Sequence, residues 1–455
     1  MKRVDALPPR SPKSRDPREP REPRAFPLEA LLAFAIALAL RALYSALALG
    51  PHPQPSSDAL SYDTVAWNLA RGVGFALDGA KGPYATAFVP PVVPWLTSLL
   101  YKAVGHSFPA AVFMQCVIGA LVPLLLAAFA RATVGSSVAR IAMWLAVVHP
   151  LLVFFSGYLL TETTFCAMLL VAMLASVEWL KTPRRARALG AGLLWGAAAL
   201  TRPTALPLPL LVAAWAWVPL GLTTGASERA RQLAVLALGV VLVVAPWTLR
   251  NAGALHAFVP ITSGGGRSLL DANNAIVWAD PATRGGATSV YHLEPYATQF
   301  RGLSETQIDA RSAALAREFL ASHTGEWPAM AFAKLARFWR LTSEGGATGH
   351  WGASGSPLAA TLRVLDPLLV WSLFTLPLAL YGAWAALRGP RGLFQSLPLL
   401  VILAFTAGAV VYWGSLRLRV PGEPLVVLYA AIGADTALKR WRVQRSGMKL
   451  VERRG

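Results

Sequence analysis

FPLEALLAFAIALALRALYSALAL, residues 26–49, is a hydrophobic run long enough to cross a bilayer. SSDALSYDTVAWNLARGVGF, residues 56–75, follows it and is therefore expected at a membrane surface. The ALALG ending of the run resembles a signal-peptidase site, but a long charged leader precedes it and Arg41 interrupts it, so an uncleaved span is expected. Arg41 is expected to snorkel toward the outer headgroups or to face a polar cavity.

The same reading extends along the chain. Its 455 residues are 55% hydrophobic and only 14% charged, which excludes an ordinary soluble domain. An all-α polytopic membrane protein with about ten spans is predicted. They fall near 26–49, 110–130, 139–158, 160–180, 187–202, 205–221, 232–249, 358–387, 395–413 and 420–437. The net charge of +19 invites a nucleic-acid partner. That partner is excluded, because the positive residues sit mostly in short segments between apolar runs, where they set topology. Arg131 and Arg140, Lys181, Arg184, Arg185 and Arg187, and Arg229 and Arg231 all fall inside if the N-terminus is inside. Residues 1–25, with REPREPR, read as a disordered basic cytoplasmic tail, and residues 439–455 as a second basic cytoplasmic tail. Between them lies one membrane domain, 26–438, with a first outer loop at about 50–107 and a long outer loop at about 251–357.

The outer loops have their own order. VPPVVPWLTSLLYKAVG, residues 89–105, reads as a Pro-broken amphipathic piece lying along the membrane. SETQ predicts a capping box at Ser304 and Gln307, and PAMAFAKLARFWRL, residues 328–341, an interfacial helix. Residues 56–75 predict a helix with Ser57 as N-cap and with Gly72 and Gly74 as stop signals. Asp58, Tyr62, Ala66 and Leu69 share one face of it, while Asp63 points elsewhere. Asp58 reads either as a cap or as a reactive carboxylate at the positive end of the helix dipole.

Asp58, Glu162, Arg202, Arg250, Arg267, Arg417 and Arg419 map to outer ends of spans or to outer loops, against the topogenic bias. Arginine holds phosphate by paired hydrogen bonds and keeps its charge when partly buried. Several arginines on one outer cavity would suit a lipid-linked phosphate. Each also has a plainer reading: Arg202 as a helix end, Arg250, Arg417 and Arg419 as interfacial anchors, Glu162 as a cap. Arg267 lies in a Gly-rich turn, TSGGGRS, whose amides could cradle an anion. The histidines are scattered, with no HExxH spacing, and Cys116 and Cys166 lie in apolar runs, so neither a metal site nor a disulfide framework is expected.

Taken in order, these pieces resemble the glycosyltransferase-C superfamily, and most of all the bacterial branch of the protein mannosyltransferase family, glycosyltransferase family 39, kin to the lipid A aminoarabinose transferases. The resemblance covers about 30–437. It is carried by Arg41 in the first span, DALSYDTVAWNLARGVGF, VPPVVPW, Gln115, TETTF, ALTRP, PWTLRNAGALHAFVPITSGGGRSLLDANNA and LRLRVPGEPLVVLYAA. It implies inverting transfer of a sugar from a polyprenyl-phosphate donor to a lipid, glycan or protein acceptor, at the extracytoplasmic face of a bacterial inner membrane, with no further cofactor; no metal is expected, because the outer loops offer few acidic residues beyond Asp58, Asp78, Asp271 and Glu162. Asp58 matches the family's first-loop carboxylate and would be the general base. Tyr62, Arg41, Glu162, Arg202, Arg250, Arg267, Asn273, Arg417 and Arg419 would bind substrate. The chain departs from the family where Phe88 and Val89 stand in place of a basic residue before the paired prolines, with Lys81 or Arg71 as substitutes. A polysaccharide ligase or polymerase, which would not need Asp58, and a flippase or transporter are the rival readings.

Overall fold

A computed structural model describes residues 25–48, 50, 54–55, 57–221, 223–342, 361, 366–389 and 392–452. The expectations for residues 1–24, His52, His350, the first residues of the span near 358–387, and the extreme C-terminus lie outside these.

The described chain is helical apart from one small hairpin. Helix α1 is Ala25–Ala48 and α2 is Asp58–Ala70. The hairpin pairs β1, Ala76–Gly79, with β2, Gly82–Ala85. Then come α3 (Val92–Val104), α4 (Phe108–Thr133), α5 (Ser136–Val147), α6 (Pro150–Phe155), α7 (Thr161–Lys181), α8 (Arg185–Thr201), α9 (Leu208–Gly221) and α10 (Ala226–Leu255). The long segment after α10 carries α11 (Gly265–Ala272), α12 (Ala275–Ala279), α13 (Tyr296–Phe300), α14 (Glu305–Ser322) and α15 (Trp327–Phe338). Helices α16 (Pro367–Arg388), α17 (Gly392–Val411), α18 (Leu416–Arg419) and α19 (Glu423–Glu452) complete it.

Among the described residues, seven helices are long and apolar enough to cross a membrane: Pro27–Leu47, Phe108–Thr133, Thr161–Lys181, Pro203–Gly221, Ala226–Leu255, Pro367–Arg388 and Phe394–Val411. The chain is thus a multi-pass, all-α membrane protein. The other three expected spans are helical but differ in kind. The one near 139–158 is split into α5 and α6 at His149, because Pro150 has no amide to continue the ladder. Helix α8 has 17 residues and stops where Arg202, preceding Pro203, turns extended. The last expected span is only the apolar first part of α19, whose second part is basic.

Small residues let the backbones touch. A methyl group on Gly192 would sit 2.1 Å from the Leu236 carbonyl, and one on Gly239 would sit 2.6 Å from that of Leu189, so α8 and α10 meet with no side chain between them. Gly382 and Gly433 do the same for α16 and α19, at 1.8 Å from the Tyr429 carbonyl and 2.1 Å from that of Leu378. Gly382→Val is therefore expected to cost far more than Gly408→Val, whose site is open. Detergent-solubilised Gly382→Val should fail to yield a monodisperse, cooperatively melting species, while Gly408→Val should melt within roughly 2–4 °C of the wild type. Equal melting of the two would contradict this packing.

Several polar groups inside the bundle pair with one another: Trp179 Nε1 donates to Gln232 Oε1 at 2.6 Å, Trp195 Nε1 to Ser176 Oγ at 2.9 Å, and Thr164 Oγ1 to Gln115 Oε1 at 3.1 Å. Arg41 does not snorkel. It is fully buried and donates to the Ala37 and Val147 carbonyls at 3.0 and 3.3 Å. Gly119 makes the room, since a methyl group there would lie 3.1 Å from Arg41 Nε.

The segment after α1 and the segment after α10 meet. The Ser263 amide donates to the Ala87 carbonyl at 3.0 Å. Glu305 accepts from Thr86 Oγ1 at 2.6 Å, from the Ala87 amide at 3.0 Å, and from Ser263 Oγ. The capping box expected at Ser304 and Gln307 opens α14 and presents Glu305 in its first turn.

Candidate active site

Helix α2 begins at Asp58, but Ser57 does not cap it: its φ is 51° and its side chain accepts no cap hydrogen bond. The stop signals are as expected, with Gly72 and Gly74 at φ 81° and 106°. On the opposite face, Asp63 accepts from the Tyr101 hydroxyl at 2.5 Å and lies 2.9 Å from His106 Nε2, which fastens α2 to α3. This leaves Asp58 and Tyr62 facing the bundle.

There Asp58 meets residues distant in sequence. Arg417, at the start of α18, donates from one terminal nitrogen to Asp58 Oδ2 and from Nε to Glu162 Oε1 at 2.5 Å. Arg202 lies 2.9 Å from the same Glu162 oxygen and donates to Thr161 Oγ1 at 3.2 Å. The result is a chain Asp58–Arg417–Glu162–Arg202 with alternating charge. Glu162 sits in the first turn of α7, where the helix dipole favours an anion. Burial acts to lower the pKa of Arg417, but the adjacent Glu162 and Asp58 carboxylates outweigh it and raise the pKa, so the guanidinium stays charged. Tyr62 is buried beside all four residues; burial raises its phenol pKa, and it remains a neutral donor. The two carboxylates differ in access. The Asp58 side chain is 44% exposed and that of Glu162 is 0% exposed, so only Asp58 can meet a substrate.

The remaining candidates are placed elsewhere. Arg250 donates to the Thr86 and Phe75 carbonyls at 2.6 and 2.7 Å and lies over the rings of Trp247 and Phe75, so it staples the hairpin segment to the end of α10. Arg419 is buried and paired with Glu423, which in turn lies 3.0 Å from the buried His149. Asn273 donates to the Leu269 carbonyl at 2.7 Å and accepts from Lys334 Nζ at 2.7 Å. Lys334 also donates to the Val410 carbonyl at 3.0 Å, ending α17. Lys81 stands exposed at the hairpin tip, and Arg71 is held by Asn68 at 2.5 Å and faces Asp78 at 3.8 Å. The Gly-rich stretch forms the first turn of α11 and is no empty cradle: Asp309 Oδ1 accepts from the Arg267 amide at 3.0 Å. The Arg267 side chain itself forms no ion pair among the described residues. Also among the described residues, no cluster of three or more His, Cys, Asp or Glu could hold a metal.

Two features escape a linear reading. The His149–Glu423–Arg419 knot joins residues 274 apart, so only the oddity of a Glu and a His in apolar surroundings signals it. The other is Asp271 on α11. Burial pushes its carboxyl up to about 7, against the lowering effect of nearby Tyr291, the Val290 amide and Arg267, and the charge of Asp58 adds to the rise. A carboxyl raised in the folded state contributes stability that is full below the unfolded value of about 4 and is lost as pH rises through about 7. Asp271→Asn stays neutral throughout. Its melting temperature should exceed that of the wild type at pH 8, by roughly 2–4 °C, with a smaller gain at pH 5. An unchanged difference between the two pH values would contradict the assignment.

Residues 89–249, which include Glu162 and Arg202, match the family model described as dolichyl-phosphate-mannose-protein mannosyltransferase. No curated protein sequence matches the chain. Among solved structures, the archaeal oligosaccharyltransferase AglB from Archaeoglobus fulgidus, in complex with an inhibitory peptide and a dolichol-phosphate, is similar with a TM-score of 0.58 and 14% identity, covering 93% of this chain and 51% of that one. The apo form of the Archaeoglobus fulgidus oligosaccharyltransferase gives 0.56 and 16%, over 94% and 52%. ArnT from Cupriavidus metallidurans bound to undecaprenyl phosphate gives 0.45 and 15%, over 90% and 77%. The chain spans about half the length of the oligosaccharyltransferases it matches. The chain is thus a multi-pass membrane protein that is similar over residues 89–249 to the dolichyl-phosphate-mannose-protein mannosyltransferases and shares its fold with the archaeal oligosaccharyltransferases.

Proposed function

We propose that this protein transfers a sugar from a polyprenyl-phosphate donor to a hydroxyl of a lipid, glycan or protein acceptor, with inversion, at the extracytoplasmic face of a bacterial inner membrane. The observation that carries the reading is the half-exposed Asp58 carboxylate held by Arg417, which is itself anchored on the fully buried Glu162. A general base must be ionised, oriented and reachable, and Asp58 is the only one of the two carboxylates that substrate can reach. The placement of Lys and Arg between spans supports the sidedness.

In the reaction, Asp58 takes the proton of the acceptor hydroxyl as that oxygen attacks the anomeric carbon. The bond from that carbon to the phosphate oxygen breaks on the opposite face, and the phosphate leaves with the bonding pair. Protonation of Asp58 removes one of the two anions facing Arg417. Its guanidinium charge then turns toward the departing phosphate, in a site where a fixed cation is worth more than in water. Tyr62 supplies a neutral hydroxyl to the same pocket.

The test compares envelope glycans and lipids by mass spectrometry in a deletion strain, its parent, and strains complemented with wild type or Asp58→Asn. Loss of one sugar modification, restored by wild type and not by Asp58→Asn, is expected. An unaltered envelope, or full restoration by Asp58→Asn, would overturn the proposal.

A further inference from the structure

A cavity of about 590 Å³ lies between the two inter-span segments, within the range of small-ligand sites. Ser61, Tyr84, Phe88, Leu255, Arg267 and Ile308 are among its walls. Ser61 is one helical turn after Asp58 on α2, so one wall of the cavity comes from the helix that carries the candidate base. Two charged side chains line it, Glu305 and Arg267. Both oxygens of Glu305 are already taken, by Thr86, Ala87 and Ser263. Arg267 differs. Its guanidinium lies 5.4 Å from the ring centres of Phe88 and Tyr291, it forms no ion pair among the described residues, and its buried Nε has no hydrogen-bond partner. Every other arginine proposed above for the outer side is committed to a carboxylate or to backbone carbonyls.

We infer that this cavity is the acceptor site and that Arg267 grips an oxyanion, phosphate or carboxylate, carried by the acceptor beside its reacting hydroxyl. The inference rests on the transferase reading above. The acceptor is favoured over the donor by the make-up of the walls. Only Ala254 and Leu255, the last two residues of a membrane-length helix, reach the cavity, whereas a polyprenyl tail must lie along spanning helices. A planar guanidinium held by aromatic rings offers paired donors that suit an oxyanion, and the rings beside it suit a sugar face. Among the described residues neither neighbouring carboxyl, Asp271 nor Asp309, forms an ion pair with it, and burial raises the pKa of both.

The experiment uses the full chain in lipid nanodiscs and isothermal titration with four probes: N-acetylglucosamine 6-phosphate, glucuronic acid, neutral N-acetylglucosamine, and undecaprenyl phosphate. The anionic sugars should bind about 10-fold more tightly than the neutral one. The phosphate and carboxylate arms show which oxyanion is preferred. Arg267→Gln should erase the difference and leave undecaprenyl phosphate binding intact, which also certifies the fold; Arg267→Lys should retain part of it. No preference in the wild type, or an Arg267→Gln that weakens undecaprenyl phosphate binding instead, would overturn the inference. If the wild type kept its anion preference but bound no undecaprenyl phosphate, the transfer reaction would fall and the anion site would stand.

Discussion

Asp58→Asn is expected to lower the turnover number for sugar transfer by about 10²–10⁴-fold, the usual worth of a general base, while leaving donor binding and melting temperature near those of the wild type. Asparagine keeps an oxygen where Arg417 donates, so the local geometry should survive. What it loses is the capacity to accept a proton. The loss belongs to the chemical step, so the Michaelis constants for donor and acceptor should change little. Purified enzyme with a radiolabelled polyprenyl-phosphate sugar gives the measurement. A variant retaining more than about a tenth of wild-type turnover would remove Asp58 from the role of base.

Glu162→Gln is expected to damage both stability and activity. Glu162 is fully buried, and one of its oxygens serves two guanidiniums, Arg202 and Arg417. Without its charge, Arg202, which is almost buried, keeps only neutral partners, the amide oxygen and the Thr161 hydroxyl. Removing one partner of a buried ion pair costs about 3–5 kcal/mol. The lower end applies, because the Arg417 side chain is 33% exposed and reaches solvent. Arg417 would then have Asp58 as its one anionic partner and pull the base out of position, with a turnover loss of about 10²-fold. The double variant Glu162→Gln, Arg202→Gln should melt higher than Glu162→Gln alone, because it removes the stranded cation. Wild-type melting of Glu162→Gln, or a double variant no better than the single one, would show that the network is not coupled in this way.

Much of this arrangement was legible in the sequence because it follows from local rules. Apolar runs of membrane length, the capping box at Ser304 and the positive-φ glycines after α2 each depend on a few neighbouring residues. So does the face that presents Asp58 and Tyr62 together. The arginines at span ends did require a cause, as the topogenic bias implied, but the cause is mostly the protein itself. Arg250 serves carbonyls, Arg419 serves Glu423, and Arg202 and Arg417 serve Glu162. Choosing between an internal carboxylate and a bound phosphate takes a distance, and helical spacing supplies none between residues 162 and 417. Ser57 shows the converse failure: a favoured capping residue stands one place before a helix, yet its backbone is left-handed and its hydroxyl bonds to nothing there.

The alternating chain of charges has an order in time as well as in space. Arg417 stands 255 residues after Glu162 and 359 after Asp58. During synthesis, Glu162 enters the bilayer with α7 while its principal cation is still untranslated, and Arg202 at the end of α8 is its first relief. The network closes only when the ribosome has delivered α18. A nascent chain stalled before that point holds Glu162 on Arg202 alone and leaves Asp58 without its cation.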